Sequence, residues 1–175
     1  MVKVVAAFGR RFTRVREEGE GTPEEWLRGA VKAADLELRA RQREEPALRG
    51  MATTMVALYL RDSGFWAASV GDSYLLRLRQ GQLDCLNELH SERGGVTSCV
   101  GYNLTRIDLA ARRELEPGDR FLIASDGIAT LSSEEAGGIL GRAGDPESAV
   151  RDLLAAVEEQ ALPSQDNVTV VAVFP

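Results

Sequence analysis

The sequence predicts an α+β domain made of two stacked antiparallel β-sheets (a β-sandwich) flanked by α-helices. Short apolar runs follow one another from residue 51 to residue 86, and the turn sequences Asp62-Ser63-Gly64 and Gln80-Gly81 separate them as hairpins. Helices with clear start signals stand before and after this block of strands. Strands in one run with helices on both sides, rather than a regular alternation of the two, indicate the α+β class.

The first elements are predicted from apolar patterning and from one strong helix cap. Residues 2–8 are predicted as a buried strand and residues 10–21 as a charged loop. A helix then begins after Thr22, with Pro23 at its first position, and extends to about Arg43. We expect this helix to pack one apolar face on a sheet. At helical spacing, that face consists of Leu27, Val31, Ala34 and Leu38.

The later elements follow from the same rules. Two helices are expected, one capped by Ser132 and one capped by Asp145. Residues 96–100 are ambiguous between strand and loop. The predicted strands are residues 51–60, 65–70, 74–78, 82–86, 107–111, 120–124 and 168–174.

Composition restricts the classes of function. At 175 residues, the chain is long enough for one domain over residues 1–175 that buries its own core. A net charge of −6 argues against nucleic-acid binding, because neutralising phosphates requires a basic face. No apolar run reaches the length of a membrane span and the N-terminus lacks a signal-peptide pattern, so we expect no membrane partner and a cytoplasmic location.

Three aspartates stand where apolar strand patterns end or begin. Asp72 and Asp126 each stand two residues after the end of a predicted strand, and Asp166 stands two residues before the last one. Each of them alone is also an ordinary turn residue. Together they indicate a site for a hard divalent cation, because Mg²⁺ and Mn²⁺ prefer carboxylate oxygens and water as ligands. We expect the three carboxylates to converge at one end of the sandwich.

A series of motifs occurs in a characteristic order over residues 51–174. The motifs are Met51-Ala52-Thr53-Thr54, Val70-Gly71-Asp72-Ser73, Gln80-Gly81-Gln82-Leu83, His90-Ser91, Pro117-Gly118-Asp119 with Ser125-Asp126-Gly127, and Asp166-Asn167-Val168-Thr169. This order resembles the type 2C metal-dependent Ser/Thr protein phosphatases, the PPM family. The resemblance implies a sandwich with outer helices, and a phosphatase that acts on phosphoproteins with Mn²⁺ or Mg²⁺.

The resemblance also implies roles for individual residues. In the family, two metal ions share a water molecule that attacks phosphorus directly. Asp126 and Asp166 match two carboxylates of the first ion, and Asp72 with Asp126 matches the pair that holds a third ion in bacterial members. Asn167 and Gly127 stand beside these ligands and are expected to position them without binding the metal themselves.

Departures from the family pattern point to an incomplete metal centre and weak activity. Active members carry an Arg-x-x-Asn-Glu-Asp segment and then an Asp-Gly-x-Gly-Gly turn, whose aspartate bridges both ions. Residues 5–11, compared with that turn, contain no carboxylate, and the usual N-terminal acidic segment is not found before them. Arg10 and Arg11 are candidates for phosphate contact or for an ordinary surface position. A reduced substrate flap is expected between His90 and Gly101.

Three functional interpretations stay open. The chain is an enzyme with a reduced metal centre, an inactive pseudophosphatase that binds a phosphoprotein or regulatory protein, or a piece completed by another chain. A solvated loop is the simpler alternative to a predicted loop whose carboxylates replace the bridging ligand. These carboxylates are those of Glu17, Glu18 and Glu20.

Overall fold

The structure, a computed structural model, describes residues 2–92, 95–160, 163 and 166–175. These residues fall into two compact units. The first unit spans Met1–Asp72 and Glu88–Glu114, and the second spans Ser73–Asn87 and Leu115–Pro175. Each unit contains an antiparallel sheet and two α-helices of its own. Within the described ranges, no helix is both long and apolar enough to cross a membrane.

The first unit combines two helices with a three-stranded sheet and a short hairpin. The sheet has the strand order β1-β2-β7, and neighbouring strands are antiparallel. Strands and helices are numbered in chain order through both units. Here they are α1 (Val2–Glu18), α2 (Pro23–Glu44), β1 (Met55–Arg61), β2 (Gly64–Val70), β5 (Ser91–Glu92), β6 (Gly95–Val96) and β7 (Asp108–Glu114).

Helix α2 confirms the prediction made from its cap. The Thr22 Oγ1 accepts a hydrogen bond from the Glu25 backbone N–H at 3.3 Å, and the Glu25 carboxylate accepts one from the Thr22 N–H at 2.8 Å. This capping box satisfies backbone donors that the first turn leaves without helical partners. The predicted apolar face is buried and packs on β2. The residues in this contact are Leu27, Val31, Ala34 and Leu38 of α2 with Trp66, Ala68 and Val70 of β2.

Helix α1 corrects the prediction for the N-terminal residues. Residues 2–8 are the first half of this helix rather than a strand, and most of the predicted loop 10–21 is its second half. Phe8 and Phe12 lie four residues apart, so they share one helical face, and their rings stack with centroids 6.0 Å apart. Phe12 also contacts the rings of Trp26 and Tyr59 edge-on. A short apolar run does not by itself distinguish a strand from a buried helix.

The second unit contains the sheet β4-β3-β8-β9, which is antiparallel throughout. Both predicted helix caps are confirmed, because Ser132 and Asp145 each form a capping box. The helices pack on one face of the sheet, over a core that includes Leu78, Leu122, Leu140 and Leu153. The elements are β3 (Tyr74–Arg79), β4 (Gln82–Cys85), β8 (Arg120–Ala124), α3 (Ser133–Arg142), α4 (Pro146–Glu159) and β9 (Val170–Val173), with a short 3₁₀ helix over Asp126–Thr130.

The predicted fold class of antiparallel sheets with helices is confirmed, and strand β8 has the predicted bounds. Strand β1 starts later than expected, at Met55, because Thr53 instead forms an isolated bridge with Val100. The ambiguous residues 96–100 take part in β6 at one end and in that bridge at the other.

Candidate metal centre

Ser125 holds the residues around Asp126 and Asp166 together in the second unit. Its backbone N–H donates to the Thr169 carbonyl at 3.0 Å, which extends the pairing of β8 with β9 beyond the named strands. The Ser125 hydroxyl accepts from the Thr169 N–H at 2.9 Å and donates to the Asn167 carbonyl at 3.3 Å. One side chain therefore keeps the segment that carries Asp166 beside the residue that precedes Asp126.

Gly127 allows the two segments to approach each other closely. A Cβ at this position would lie 2.8 Å from the Asn167 carbonyl oxygen and 3.0 Å from that of Asp166. Side-chain carbons do not approach backbone atoms so closely, and neither carbonyl can rotate away freely, so only glycine fits here. Gly127 thus shapes the candidate metal centre through its missing side chain, a role that its place in the sequence motif did not specify.

Asp126 and Asp166 are both solvent-exposed. Neither carboxylate forms an ion pair with any residue that the structure describes. Beside them, the backbone carbonyl of Asn167 is engaged by Ser125. The second unit therefore presents two carboxylates on neighbouring segments, one at the end of β8 and one ahead of β9.

Asp72 lies in the first unit, at the end of β2, on a turn that is fixed from two sides. Gly71 has a φ of +99°, and a Cβ there would lie 2.4 Å from the Thr54 methyl carbon, so glycine is required on both counts. The backbone N–H of His90 donates to the Gly71 carbonyl at 2.8 Å. The Gly71 N–H in turn donates to the His90 Nδ1 at 3.2 Å.

His90 is buried, with 2% of its surface exposed. Because its Nδ1 accepts a hydrogen bond, the ring proton belongs on Nε2, which has no hydrogen-bond partner among the residues described. Burial lowers the pKa of His90, and the nearby Arg106 guanidinium lowers it further, so the ring is neutral at pH 7. In the sequence, His90 stands out only as part of the His90-Ser91 motif, and its contact with Gly71 is visible only in the fold.

The remaining predicted site residues, Arg10 and Arg11, lie on α1. Arg10 and Arg11 are exposed on α1, and residues 5–11 lie inside this helix. Their comparison with a strand-to-turn segment was therefore wrong, so the lack of a carboxylate there carries no information about the bridging ligand. Over the described part of the chain, no group of three or more His, Cys, Asp or Glu side chains is placed to hold a metal ion. The grouping of Asp72 with Asp126 and Asp166 stays a prediction.

Comparison with known proteins decides the family. A profile of the family described as Protein phosphatase 2C matches residues 2–167. The chain belongs to this family. It is 30% identical over 128 residues to the Serine/threonine protein phosphatase PstP of Mycobacterium tuberculosis, a match that covers 62% of this chain and 25% of PstP. The chain thus spans about a quarter of the length of this curated relative.

Solved structures of the same family share the fold. The catalytic domain of PstP, crystallised in complex with 2 manganese ions, superposes with a TM-score of 0.79 at 26% identity, over 97% of this chain and 77% of that domain. PppA, described as a key regulatory component of T6SS in Pseudomonas aeruginosa, gives 0.78 at 24% identity, over 97% of this chain and 77% of PppA. Membership of the protein phosphatase 2C family and the antiparallel architecture therefore agree with the sequence motifs.

Proposed function

We propose that this chain is a metal-dependent protein Ser/Thr phosphatase domain, which hydrolyses phosphomonoesters on phosphoproteins. The observation that carries the proposal is the junction of β8 and β9. There Ser125 binds the backbone of Asn167 and Thr169, and Gly127 leaves room for the carbonyls of Asp166 and Asn167 beside the segment of Asp126. Family membership supports the reaction class, and the manganese-bound PstP domain supports the kind of metal.

The donor set at this junction fits a hard divalent cation. Asp126 and Asp166 supply exposed carboxylate oxygens, which Mn²⁺ and Mg²⁺ prefer over nitrogen or sulfur. We propose these two residues as ligands of one ion, and the role of Asp72 as a ligand stays a prediction from the sequence. When bound, such an ion lowers the pKa of its water and offsets the charge of a phosphoryl group. Asn167 and Gly127 keep the ligand segments in place.

We further propose that turnover by the 175-residue chain is slow. Divalent ions held close together would repel each other strongly, and anionic ligands shared between them would offset that repulsion. The junction of β8 and β9 supplies two carboxylates, those of Asp126 and Asp166, which are only part of such an anionic set. A phosphoprotein-binding or regulatory domain without turnover is the alternative, as is a centre completed by carboxylates from another chain.

Hydrolysis of p-nitrophenyl phosphate tests the proposal. The purified chain should hydrolyse it slowly with Mn²⁺ or Mg²⁺ and not at all with excess EDTA. Asp126→Asn removes a carboxylate ligand at constant size and should abolish the reaction. The matched control is Asp152→Asn, an exposed aspartate on α4, which should keep the wild-type rate.

The outcomes separate the interpretations. Hydrolysis that survives EDTA or Asp126→Asn would refute the assignment of the metal centre. A chain that binds a phosphothreonine peptide without hydrolysing it, with every metal tested, would favour the non-catalytic alternative. Strong turnover by the chain alone would contradict the proposal that its metal centre is incomplete.

A further inference from the structure

A pocket of about 500 Å³ opens in the first unit, near the end of α2. Three arginines contribute to its lining, and no motif of the sequence analysis includes them. The residues around it, here called the arginine pocket, are Arg39, Gln42, Arg43, Arg49, Gly101 and Tyr102.

One wall of the arginine pocket is locked to α2 by buried hydrogen bonds. The Gly101 N–H donates to the Asp35 carboxylate at 2.7 Å, and the Gly101 carbonyl accepts from the Gln42 amide at 2.7 Å. Gly101 has a φ of +94°, and a Cβ there would lie 2.3 Å from the Leu38 side chain. The turn that carries Tyr102 therefore has one backbone conformation, seated directly on α2.

Gln42 also binds the segment that follows Arg49. Its amide nitrogen also donates to the Met51 carbonyl at 2.9 Å, and its amide oxygen accepts from the Gly50 N–H at 3.2 Å. These bonds hold the segment that carries Arg49 beside the end of α2. A single glutamine thus joins α2 to the nearby segment at residues 50–51 and to the distant turn at Gly101, and the pocket is formed before any ligand arrives.

Among the described residues, the charges around the pocket leave two of its guanidinium groups unpaired. Arg39 pairs with Asp35 and donates to the Tyr102 carbonyl. The side chains of Arg43 and Arg49 are exposed, and neither forms an ion pair or hydrogen bond with a residue that the structure describes. The nearby acids of α2 and its C-cap instead surround Arg41; they are Glu37, Glu44 and Glu45.

We propose that the arginine pocket binds the phosphoryl group of a phosphorylated peptide segment. Planar guanidinium groups match phosphate oxygens with paired hydrogen bonds, and Arg43 and Arg49 contribute two of them to the lining of a preformed pocket. Tyr102 also lines the pocket and is 68% exposed, so its ring provides an apolar surface for the flanking peptide. This inference rests on the proposed function for its class of partner, a phosphoprotein.

The test measures binding of a labelled nine-residue peptide that contains one phosphothreonine and no other acidic residue. Fluorescence anisotropy is recorded in EDTA, so that a metal centre cannot hold or hydrolyse the peptide. The double variant Arg43→Gln/Arg49→Gln should weaken binding about tenfold or more, because each substitution removes charge-assisted hydrogen bonds to the phosphoryl group. Arg28→Gln with Arg113→Gln removes two exposed arginines of the same unit and should change binding less than about twofold.

The unphosphorylated peptide should bind at least about tenfold more weakly than the phosphopeptide. Equal binding of the two peptides would overturn the proposal, as would equal losses in the pocket variant and in the Arg28/Arg113 control. Asp126→Asn should bind the phosphopeptide like the wild type. If hydrolysis fails in the earlier assay while arginine-dependent binding persists, the phosphatase proposal falls and the pocket assignment stands.

Discussion

Replacing Gly127 by alanine should damage stability and metal binding together. The added methyl would lie 2.8 Å from the Asn167 carbonyl oxygen, 3.0 Å from that of Asp166 and 3.1 Å from the Asn167 carbonyl carbon. These atoms belong to the backbone, so no side-chain rotation relieves the clash. The segment that carries Asp166 must move away from Asp126, or the 3₁₀ helix that begins at Asp126 must shift.

The magnitude follows from the geometry of the clash. Inserting a methyl into a closely packed site costs about 1–3 kcal/mol, and we expect Gly127→Ala near the upper end because all three contacts are with backbone atoms. The Ser125 hydroxyl bonds to Asn167 and Thr169 oppose the movement, so part of the cost is a lengthening of these bonds. Mn²⁺ affinity should fall together with the stability, because the carboxylates of Asp126 and Asp166 would no longer keep their spacing.

Gly141→Ala is a matched control in the same unit. Gly141 lies in the last turn of α3, and an added Cβ would be 3.5 Å from the Leu78 side chain, an ordinary van der Waals contact. Alanine is the better helix former, so this change should stabilise the chain by up to about 1 kcal/mol. Substitution by alanine is thus expected to destabilise the chain at Gly127 and to stabilise it at Gly141.

Urea unfolding, followed by tryptophan fluorescence and circular dichroism, measures both effects. Isothermal titration with Mn²⁺ measures the affinity of each variant. A Gly127→Ala chain as stable as the wild type, with unchanged Mn²⁺ affinity, would show that the close approach of the Asp166 segment is not part of the folded state and would refute the reasoning.

Two further predictions concern buried polar groups. Burial raises the pKa of Asp119, but hydrogen bonds from Arg79 at 2.7 Å and from the Glu116 N–H at 3.0 Å hold it below its usual value of 3.8. This stabilisation is therefore present above about pH 4 and lost as pH falls through the lowered folded-state pKa. Asp119→Ala should cost about 3 kcal/mol at pH 7 and flatten the pH dependence of urea midpoints between pH 5 and 2; an unchanged slope would contradict this. His90→Leu leaves the buried Gly71 N–H without its acceptor and should cost about 1–3 kcal/mol, whereas His90→Asn, which keeps an acceptor near Nδ1, should cost less. Equal losses in thermal unfolding of the two would argue against this hydrogen bond.

Elements with local signals could be predicted from the sequence. The caps at Thr22, Ser132 and Asp145 depend on residues three positions apart, and strand β8 is bounded by a turn and by Ser125. The strand prediction for residues 2–8 was wrong because this apolar run matches the strand and turn of the family as well as it matches a helix. The spacing of Phe8 and Phe12 was the available signal.

Contacts between distant residues account for what the sequence could not show. Asp126 and Gly127 were recognised from one motif, but the clash that requires Gly127 involves residues 40 positions away, around Asp166 and Asn167. The His90–Gly71 hydrogen bond and the Gly101–Asp35 bond likewise join segments that only the fold brings together. The one-domain organisation over residues 1–175, Asp72 as a ligand, and phosphate contact by Arg10 and Arg11 stay predictions.

Anomalous diffraction from crystals grown with Mn²⁺ tests the central claim most directly. The account predicts a manganese peak within coordination distance of the carboxylate oxygens of both Asp126 and Asp166. The same experiment on Asp126→Asn should show the peak weakened or lost, with the chain still folded. A wild-type chain that binds Mn²⁺ only elsewhere, or whose Asp126 and Asp166 carboxylates point to separate solvent regions in saturating Mn²⁺, would contradict it.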